Sequence, residues 1–344
     1  MTHGLDTFIA GLPKAELHLH LEGTLESSLR ERLAKRNGIA PPEVPPFHDL
    51  TSFLVGYYQS MQVLRAEADF YDLAMAYFRK ARSQNVAYAE VFFDPQAHTG
   101  RGVPFAAVIE GLDRARADAA LLGLEARLIM CFLRDLPPDS ALQALEQSLP
   151  YKDKIIGVGL DSDERDNPPL KFKEVFKRAS AEGYRLTMHC DVDQADAVAH
   201  IWQCLDDIGV ERVDHGVNCL ESPALMARLA ADRIGLTVCP VSNGWVTDSM
   251  KAPELKAMLE AALLATVNSD DPAYFGAYVN ENLAAVASEG DLTEEDVVRL
   301  ARNSFEIAWL DPAERAAYQA QVDRYAAAYG AALDGPVPKR GVSG

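Results

Sequence analysis

The sequence predicts an α/β fold, a single (β/α)8 TIM barrel, from three observations. The chain has 344 residues, a length that suits one large barrel. Eight short apolar or alternating runs recur along it, each followed by a turn signal and a helical stretch, as repeated βα units require. In nearly every run the polar residues gather at the C-terminal end, where the loops of a barrel build the active site. We therefore expect one domain over residues 1–344.

The elements follow in order along the chain. The predicted strands are Ala15–Gly23, Ala87–Gln96, Glu125–Asp135, Ile155–Glu164, Arg185–Asp193, Val210–Asn218, Ile234–Asn243 and Leu264–Pro272. Apolar residues at three- and four-residue spacing predict outer helices between them, as over Phe105–Leu122 and Pro169–Ala181. The long connection over about residues 24–86 predicts extra helices beside the mouth of the barrel. Further helices are expected over Thr293–Leu333, followed by a frayed tail over about residues 335–344.

Composition narrows the range of partners. The 33 basic and 51 acidic residues give a net charge of −18, which disfavours nucleic acid and polyphosphates and favours a small uncharged molecule. No apolar run approaches the roughly 18 residues of a membrane span, so we expect no membrane association. The N-terminal segment lacks the features of an export signal, which favours a cytoplasmic protein whose five cysteines are reduced. The oligomeric state is not predicted.

The sharpest motif is His18-Leu19-His20 within the first run. Side chains two residues apart on a strand point to the same side, so the two imidazoles can share one metal ion. Taken alone, the pair is also compatible with a chance occurrence on a half-exposed strand.

Further candidate ligands stand at the ends of other runs: His189, His215 and the pair Asp270-Asp271. Each taken singly is more often a structural histidine or a turn cap. Together on one barrel face they favour a metal centre, in which two histidines of the first strand, His189 and Asp270 surround Zn²⁺ and leave a position for water. No lysine ends the fourth run to bridge a second metal, so one zinc ion per chain is expected.

The segments HLHLEG, DHG and SDDP, in this order and spacing, resemble the adenosine/adenine deaminase family of the amidohydrolase superfamily, from about Leu12 to Phe275. The resemblance implies that His215 orients and deprotonates the attacking water and that Asp271 hydrogen-bonds purine N7. It also implies a zinc site made of His18, His20, His189 and Asp270.

The resemblance also suggests a substrate. Adenine deaminases of the family carry Glu where adenosine deaminases carry Asp for the ribose, and this chain has Glu22. The stretches Gly159–Phe172 and Phe92–Phe105 resemble the bacterial adenine deaminase branch, and Asp161 in the first of them is predicted to bind substrate. A free base, adenine or an N6-substituted adenine, is favoured. For Glu22 the alternative is a purely structural hydrogen bond.

One segment departs from the family pattern. Attack at purine C6 requires protonation of N1, and the family supplies that proton from the Glu of His-Ala-Gly-Glu. This chain reads His189-Cys190-Asp191-Val192-Asp193, and valine cannot donate a proton. Either Asp193 or Asp191 replaces the acid, or the substrate differs, or the protein binds without turnover.

Rival functions remain open on sequence grounds. Trp245 follows the seventh run and could shape an apolar pocket for an N6 substituent, although a core or lid tryptophan is commoner. An adenosine or other aminopurine deaminase, or another amidohydrolase, could use the same metal chemistry. Nucleic-acid deaminases need a Pro-Cys-x-x-Cys segment, which does not follow His20-Leu21-Glu22 here. The non-enzymatic alternative is a purine-binding regulator.

Overall fold

The computed structural model describes residues 2–190 and 193–333. Eight parallel strands form one sheet in which sequence neighbours are also spatial neighbours. Their bounds are β1 Lys14–Glu16, β2 Val86–Phe93, β3 Glu125–Leu133, β4 Ile155–Asp161, β5 Arg185–Cys190, β6 Arg212–His215, β7 Gly235–Val238 and β8 Leu264–Val267. Just beyond β1 and β8, His20 N donates to Asp270 O (3.0 Å) and Asp270 N donates to His18 O (3.1 Å). These bonds close the sheet, and the predicted (β/α)8 barrel is confirmed.

The strands are apolar because both of their faces are buried. In β2 and β3 nearly every residue is buried, since helices cover the outside and side chains fill the inside. The predicted runs begin at or near the observed strands but extend past their ends. Those extra polar residues belong to the loops at the mouth.

Helices surround the barrel and extend the first connection. The α-helices among the described residues are α1 Thr2–Gly11, α2 Ser27–Arg36, α3 Leu50–Ser60, α4 Glu67–Ser83, α5 Pro95–Thr99, α6 Phe105–Leu121, α7 Pro138–Ser148, α8 Lys173–Ala181, α9 Ala197–Gln203, α10 Pro223–Asp232, α11 Pro240–Thr247, α12 Ala252–Glu260, α13 Pro272–Phe275, α14 Val279–Glu289, α15 Glu294–Glu306 and α16 Pro312–Leu333. Within them, α2, α3 and α4 occupy the long first connection.

Two caps show how sequence sets the helix boundaries. The Asp49 carboxylate accepts from Ser52 N (2.8 Å) and starts α3. The Thr293 hydroxyl accepts from Asp296 N (3.2 Å) and starts α15, where the sequence predicted a helix start. Residues 335–344, predicted to be a frayed tail, lie outside the described residues.

Below the mouth, the barrel interior holds a buried ion pair. Arg212 Nη1 lies 2.5 Å from Glu90 Oε2, both side chains are inaccessible to solvent, and the guanidinium stacks over Trp309 at 4.5 Å. The pair compensates two charges that would be costly to bury singly. Across the described residues, no helix combines the length and apolar character needed to span a bilayer.

Candidate active site

Five predicted side chains meet at the carboxyl ends of the strands. His18 and His20 follow β1, His189 lies in β5, His215 ends β6 and Asp270 follows β8. His18 Nε2 lies 3.2 Å from Asp270 Oδ1, and His20 Nε2 lies 3.1 Å from His189 Nε2 and 3.4 Å from Asp270 Oδ1. All five residues are buried, so one end of the barrel holds a dense set of nitrogen and oxygen donors.

The donor set fits a zinc ion. Ligand atoms of His18, His189, His215 and Asp270 all lie within 4.8 Å of one another, and all four residues are buried. Imidazole nitrogens with a carboxylate oxygen are a ligand set that zinc prefers. The ligand set implied by the resemblance includes His20 instead of His215. Both histidines lie beside the cluster, so geometry alone allows either His20 or His215 as the third imidazole ligand.

Burial keeps the imidazoles ready to bind. Burial, reinforced by neighbouring histidines, lowers the pKa of His189 well below its usual value and that of His215 to about 4. Burial alone would raise the pKa of Asp270, but His18 and the other histidines hold it well below its usual range. At neutral pH His189 and His215 are therefore neutral and Asp270 is ionised, the forms that bind metal. At His20 the effect of burial is outweighed by the Asp271 and Asp270 carboxylates, which raise its pKa.

Left-handed backbone turns two of these side chains into the mouth. His215 has φ +59° and Asp270 has φ +62°, a region that non-glycine residues seldom adopt. Gly216 follows at φ +73°, and a Cβ there would lie 2.7 Å from Leu236 Cδ2, so the DHG motif needs its glycine. Such strain is typical of functional sites, where the surrounding structure enforces it.

A carboxylate that sequence reasoning did not single out supports the cluster from below. Asp214 is fully buried and accepts hydrogen bonds from Thr187 Oγ1 (2.6 Å) and Thr237 Oγ1 (2.8 Å). Its Oδ2 lies 3.6 Å from His189 Nδ1, while Thr237 Oγ1 lies 3.0 Å from His18 Nδ1. Contacts of this kind orient metal-binding imidazoles through their second nitrogen. Asp214 is a charged residue inside a predicted strand, and this feature of the sequence could have identified it.

A cavity with about 730 Å³ of empty volume opens onto this cluster. Its polar wall includes the carboxylates of Asp94, Asp161, Asp270 and Asp271. Aromatic rings form much of the outer wall, namely Phe47, Phe53, Tyr57, Tyr58, Trp245 and Phe275. Among the described residues no lysine or arginine lines it. The cavity is therefore suited to a flat, unphosphorylated molecule.

Asp271 is the residue predicted to bind purine N7. It lines the cavity, it is 5% exposed, and its Oδ1 is buried without a hydrogen-bond partner. Burial and the neighbouring Asp270 carboxylate raise the pKa of Asp271 well above its usual value. Gly23 packs directly behind it, where a Cβ would lie only 2.0 Å from Asp271 Oδ1.

Asp161 also lines the cavity, with Oδ2 at 3.4 Å from His20 Nδ1. Burial raises its pKa to about 7. Beside it stands Asp94, which sequence reasoning missed although it ends β2 in the same way that the other candidates end their strands. Burial and the Asp161 carboxylate raise the pKa of Asp94 well above its usual value, and Tyr57 OH lies 3.3 Å from Asp94 Oδ2.

Other predicted site residues lie apart from the cavity wall. Glu22 is buried, but its Oε1 is occupied by His98 Nε2 (2.8 Å) and the Asp94 N–H (3.2 Å), the structural hydrogen bond that the sequence left open. Asp193 is exposed and accepts from Gln194 Nε2 (2.7 Å). Asp191 and Val192 lie outside the described residues.

Trp245 belongs to the rim of the cavity. Its side chain is 47% exposed, and its ring centroid lies 5.2 Å from that of Phe47 and 6.4 Å from that of Phe275. Trp245 is thus a partly exposed residue of the cavity rim and does not belong to the core.

Comparison with known proteins gives consistent matches. The family model described as adenosine deaminase matches residues 13–325. An adenine deaminase of Hahella chejuensis is 48% identical over 332 residues, covering 93% of this chain and 99% of the relative. The crystal structure of an adenine deaminase from Arthrobacter aurescens superposes with a TM-score of 0.88 at 39% identity, covering 92% of this chain and 99% of that one. A structure of an amidohydrolase from Burkholderia ambifaria with bound Zn gives a TM-score of 0.85 at 28% identity, covering 96% of both chains.

Proposed function

The chain belongs to the adenosine deaminase family, as its motifs predicted, and from this premise we propose that it is a zinc-dependent hydrolytic deaminase of a free aminopurine base. Water adds at C6, the bond from C6 to the exocyclic nitrogen breaks, and adenine yields hypoxanthine and ammonia. The observation that carries the proposal is the meeting of His18, His20, His189, His215 and Asp270 beside Asp271 at one cavity.

A free base fits the cavity better than a nucleotide. The cavity wall is acidic and aromatic, no basic side chain among its described residues could pair with a phosphate, and the whole chain carries −18. The names of the 46–50% identical adenine deaminases support the same substrate class.

We assign one zinc ion to His18, His20, His189 and Asp270. A bound zinc ion supplies Lewis acidity that lowers the pKa of a coordinated water toward neutrality. His215 then serves as the proton acceptor, since its imidazole is neutral at pH 7. The competing assignment makes His215 a ligand in place of His20. Zinc content of a His215→Asn variant separates the two, because only loss of a ligand should empty the site.

Asp271 and Asp161 orient the base. Burial and Asp270 raise the pKa of Asp271 well above its usual value, which favours the protonated carboxyl group that can donate to purine N7. Asp161, on the same wall, contacts the ring edge. Two fixed contacts hold C6 at the cluster, which is the positional part of catalysis.

The proton for N1 is assigned to Asp191 or Asp193. The exposed position of Asp193 requires its loop to turn inward in the substrate complex. Asp191→Asn and Asp193→Asn therefore form a matched pair, and the variant that removes the acid should lose roughly 10²- to 10⁴-fold in kcat with zinc retained. Near-wild-type turnover in both variants would refute the assignment.

A second substrate, an N6-substituted adenine, is favoured by one observation. Trp245, Phe47 and Phe275 form an aromatic rim at the mouth of the cavity. An apolar substituent would find matching surface there.

The direct test is product analysis with purified, zinc-loaded protein. Adenine, adenosine, AMP and N6-alkyladenines are incubated separately, and ammonia, free amine and hypoxanthine are measured. Adenine or its N6-alkyl derivative should yield hypoxanthine, AMP should not react, and chelation should abolish activity until zinc is restored. Thermal stabilisation by purines without any product would instead indicate a binding protein.

A further inference from the structure

A buried hydrogen-bond chain runs from the protein surface to the back of the cavity wall. Arg101 Nη2 lies 2.7 Å from His98 Nδ1, and His98 Nε2 lies 2.8 Å from Glu22 Oε1. A guanidinium group can only donate, so His98 Nδ1 accepts and the ring proton resides on Nε2. His98 therefore donates to the Glu22 carboxylate. We term this series of hydrogen bonds the Arg101–His98–Glu22 relay. Because Arg101 can only donate, it fixes which atom donates and which accepts in both bonds.

The inner end of the relay joins two walls of the cavity. Glu22 Oε1 also accepts the backbone N–H of Asp94, which lines the cavity. Glu22 itself begins a short 3-10 turn, Glu22–Thr24, in which Gly23 packs against Asp271. One carboxylate thus connects the turn behind Asp271 to the loop that carries Asp94.

The outer end is fixed by the extra helices. Arg101 Nη2 donates to Leu64 O (2.5 Å), and Arg101 Nε donates to Ala97 O (3.2 Å). Leu64 lies between α3 and α4, whereas Ala97 lies in α5. His98 and Glu22 are 0% and 1% exposed, so water cannot replace a lost partner without opening the packing.

We infer that Glu22, His98 and Arg101 are positioning residues that hold Asp94 and Asp271 at their places in the base pocket, and that Glu22 influences substrate choice without touching the substrate. The inference rests on the proposed function. It differs from the first of the two sequence-based alternatives for Glu22, a substrate contact, and extends the second, a structural hydrogen bond.

Arg101→Ala is the informative variant because the guanidinium is at the surface while its partners are buried. With zinc saturating, kcat/KM for adenine should fall about 10- to 100-fold, the range seen when an orienting partner is lost. Added guanidinium ion at non-denaturing concentrations should restore part of the rate, as it can refill the vacated place. Arg65→Ala is the matched control, since Arg65 is a neighbouring exposed arginine whose Nε bonds Gln62 O and not His98.

A substrate comparison separates positioning from direct contact. Glu22→Asp and Arg101→Ala should change the ratio of the adenine rate to the adenosine rate in the same direction if Glu22 acts only by positioning the wall. A change of that ratio in Glu22→Asp alone would overturn the inference, because it would show that the carboxylate contacts the substrate. Equal losses in Arg101→Ala and Arg65→Ala, or no rescue by guanidinium, would overturn it as well.

A spectroscopic readout keeps this test separate from the proposed function. Nitrogen-15 NMR of labelled histidines, with His98 assigned through His98→Gln, should report a proton on Nε2 in the wild type and a changed tautomer ratio in Arg101→Ala. An unchanged ratio would refute the relay even in an active enzyme. The expected tautomer shift in Arg101→Ala, together with a wild-type protein that releases no product, would refute only the deaminase assignment.

Discussion

Replacing Gly23 with alanine tests whether the backing of Asp271 is needed for recognition of the base. Gly23 is the last residue of the HLHLEG motif and lies in the 3-10 turn Glu22–Thr24, with a backbone that does not require glycine for its φ angle. The effect of an added methyl group is therefore steric and is aimed at one neighbour. That neighbour is the carboxylate assigned to purine N7.

The size of the effect follows from the contacts. A Cβ at residue 23 would lie 2.0 Å from Asp271 Oδ1, 2.7 Å from its Cγ and 2.8 Å from its Cα. Non-bonded heavy atoms rest about 3.5–4.0 Å apart, so the carboxylate must move by more than about 1 Å. Because the Cα also lies too close, rotation of the side chain cannot relieve the contact. A displacement of about 1 Å costs about 100-fold in rate, or about 2.7 kcal/mol in transition-state stabilisation.

The assay compares adenine with 7-deazaadenine, in which carbon replaces N7. The wild type should prefer adenine strongly, whereas Gly23→Ala should lose rate on adenine and most of the preference. Gly4→Ala in α1 is the control, since a Cβ there meets no atom within 4 Å. Zinc content and thermal stability are measured in parallel. An unchanged preference in a zinc-loaded, folded Gly23→Ala protein would refute the reasoning.

Three further predictions follow from the structure. His215→Asn should lower kcat by roughly 10²- to 10⁴-fold while zinc, measured by metal analysis, stays bound; loss of zinc would instead make His215 a ligand. Burial lowers the pKa of Lys14 from 10.5 to about 7 in the folded protein. Between pH 7 and pH 10.5 the Lys14 side chain therefore binds a proton in the unfolded chain but not in the folded one. The free energy of unfolding of the wild type should then rise by up to about 1.4 kcal/mol per pH unit over that window. The stabilisation of Lys14→Met relative to the wild type should therefore shrink from pH 7 to pH 9 in urea unfolding, and a constant difference would contradict the assignment. Trp245→Ala should lower kcat/KM for N6-alkyladenines more than for adenine, and equal losses would remove the rim from substrate recognition.

The sequence predicted that the four histidines and Asp270 would meet because one rule of barrel geometry is enough for it. Carboxyl ends of parallel strands meet at one mouth, so polar residues that end apolar runs must approach one another. The same rule would have selected Asp94 at the end of β2, where no histidine drew attention to it. The role of Asp214 needed more information. Its hydrogen bonds to Thr187 and Thr237 depend on the register of β5, β6 and β7. That register cannot be predicted from a single sequence.

At Glu22 the alternation of side chains along a strand no longer predicts the direction of the side chain. His18, His20 and Glu22 are spaced by two residues, so an unbroken strand would place all three side chains on the same face. Pairing with β2 continues through the bridge of His20 to Phe92, where Phe92 N donates to Leu19 O (2.8 Å) and Leu21 N donates to Phe92 O (3.0 Å). Gly23 N then donates to His20 O (3.0 Å) and Thr24 N to Leu21 O (3.0 Å), which bends the chain into a 3-10 turn.

That turn carries the Glu22 carboxylate off the face shared by the histidines and toward His98. Whatever selectivity the glutamate confers must therefore pass through the atoms it holds, the Asp94 backbone and the turn behind Asp271. A shorter aspartate at this position would have to give up His98 or draw the turn toward it. Either change moves a wall of the cavity, so one methylene group can alter which purine fits without any contact to the purine itself.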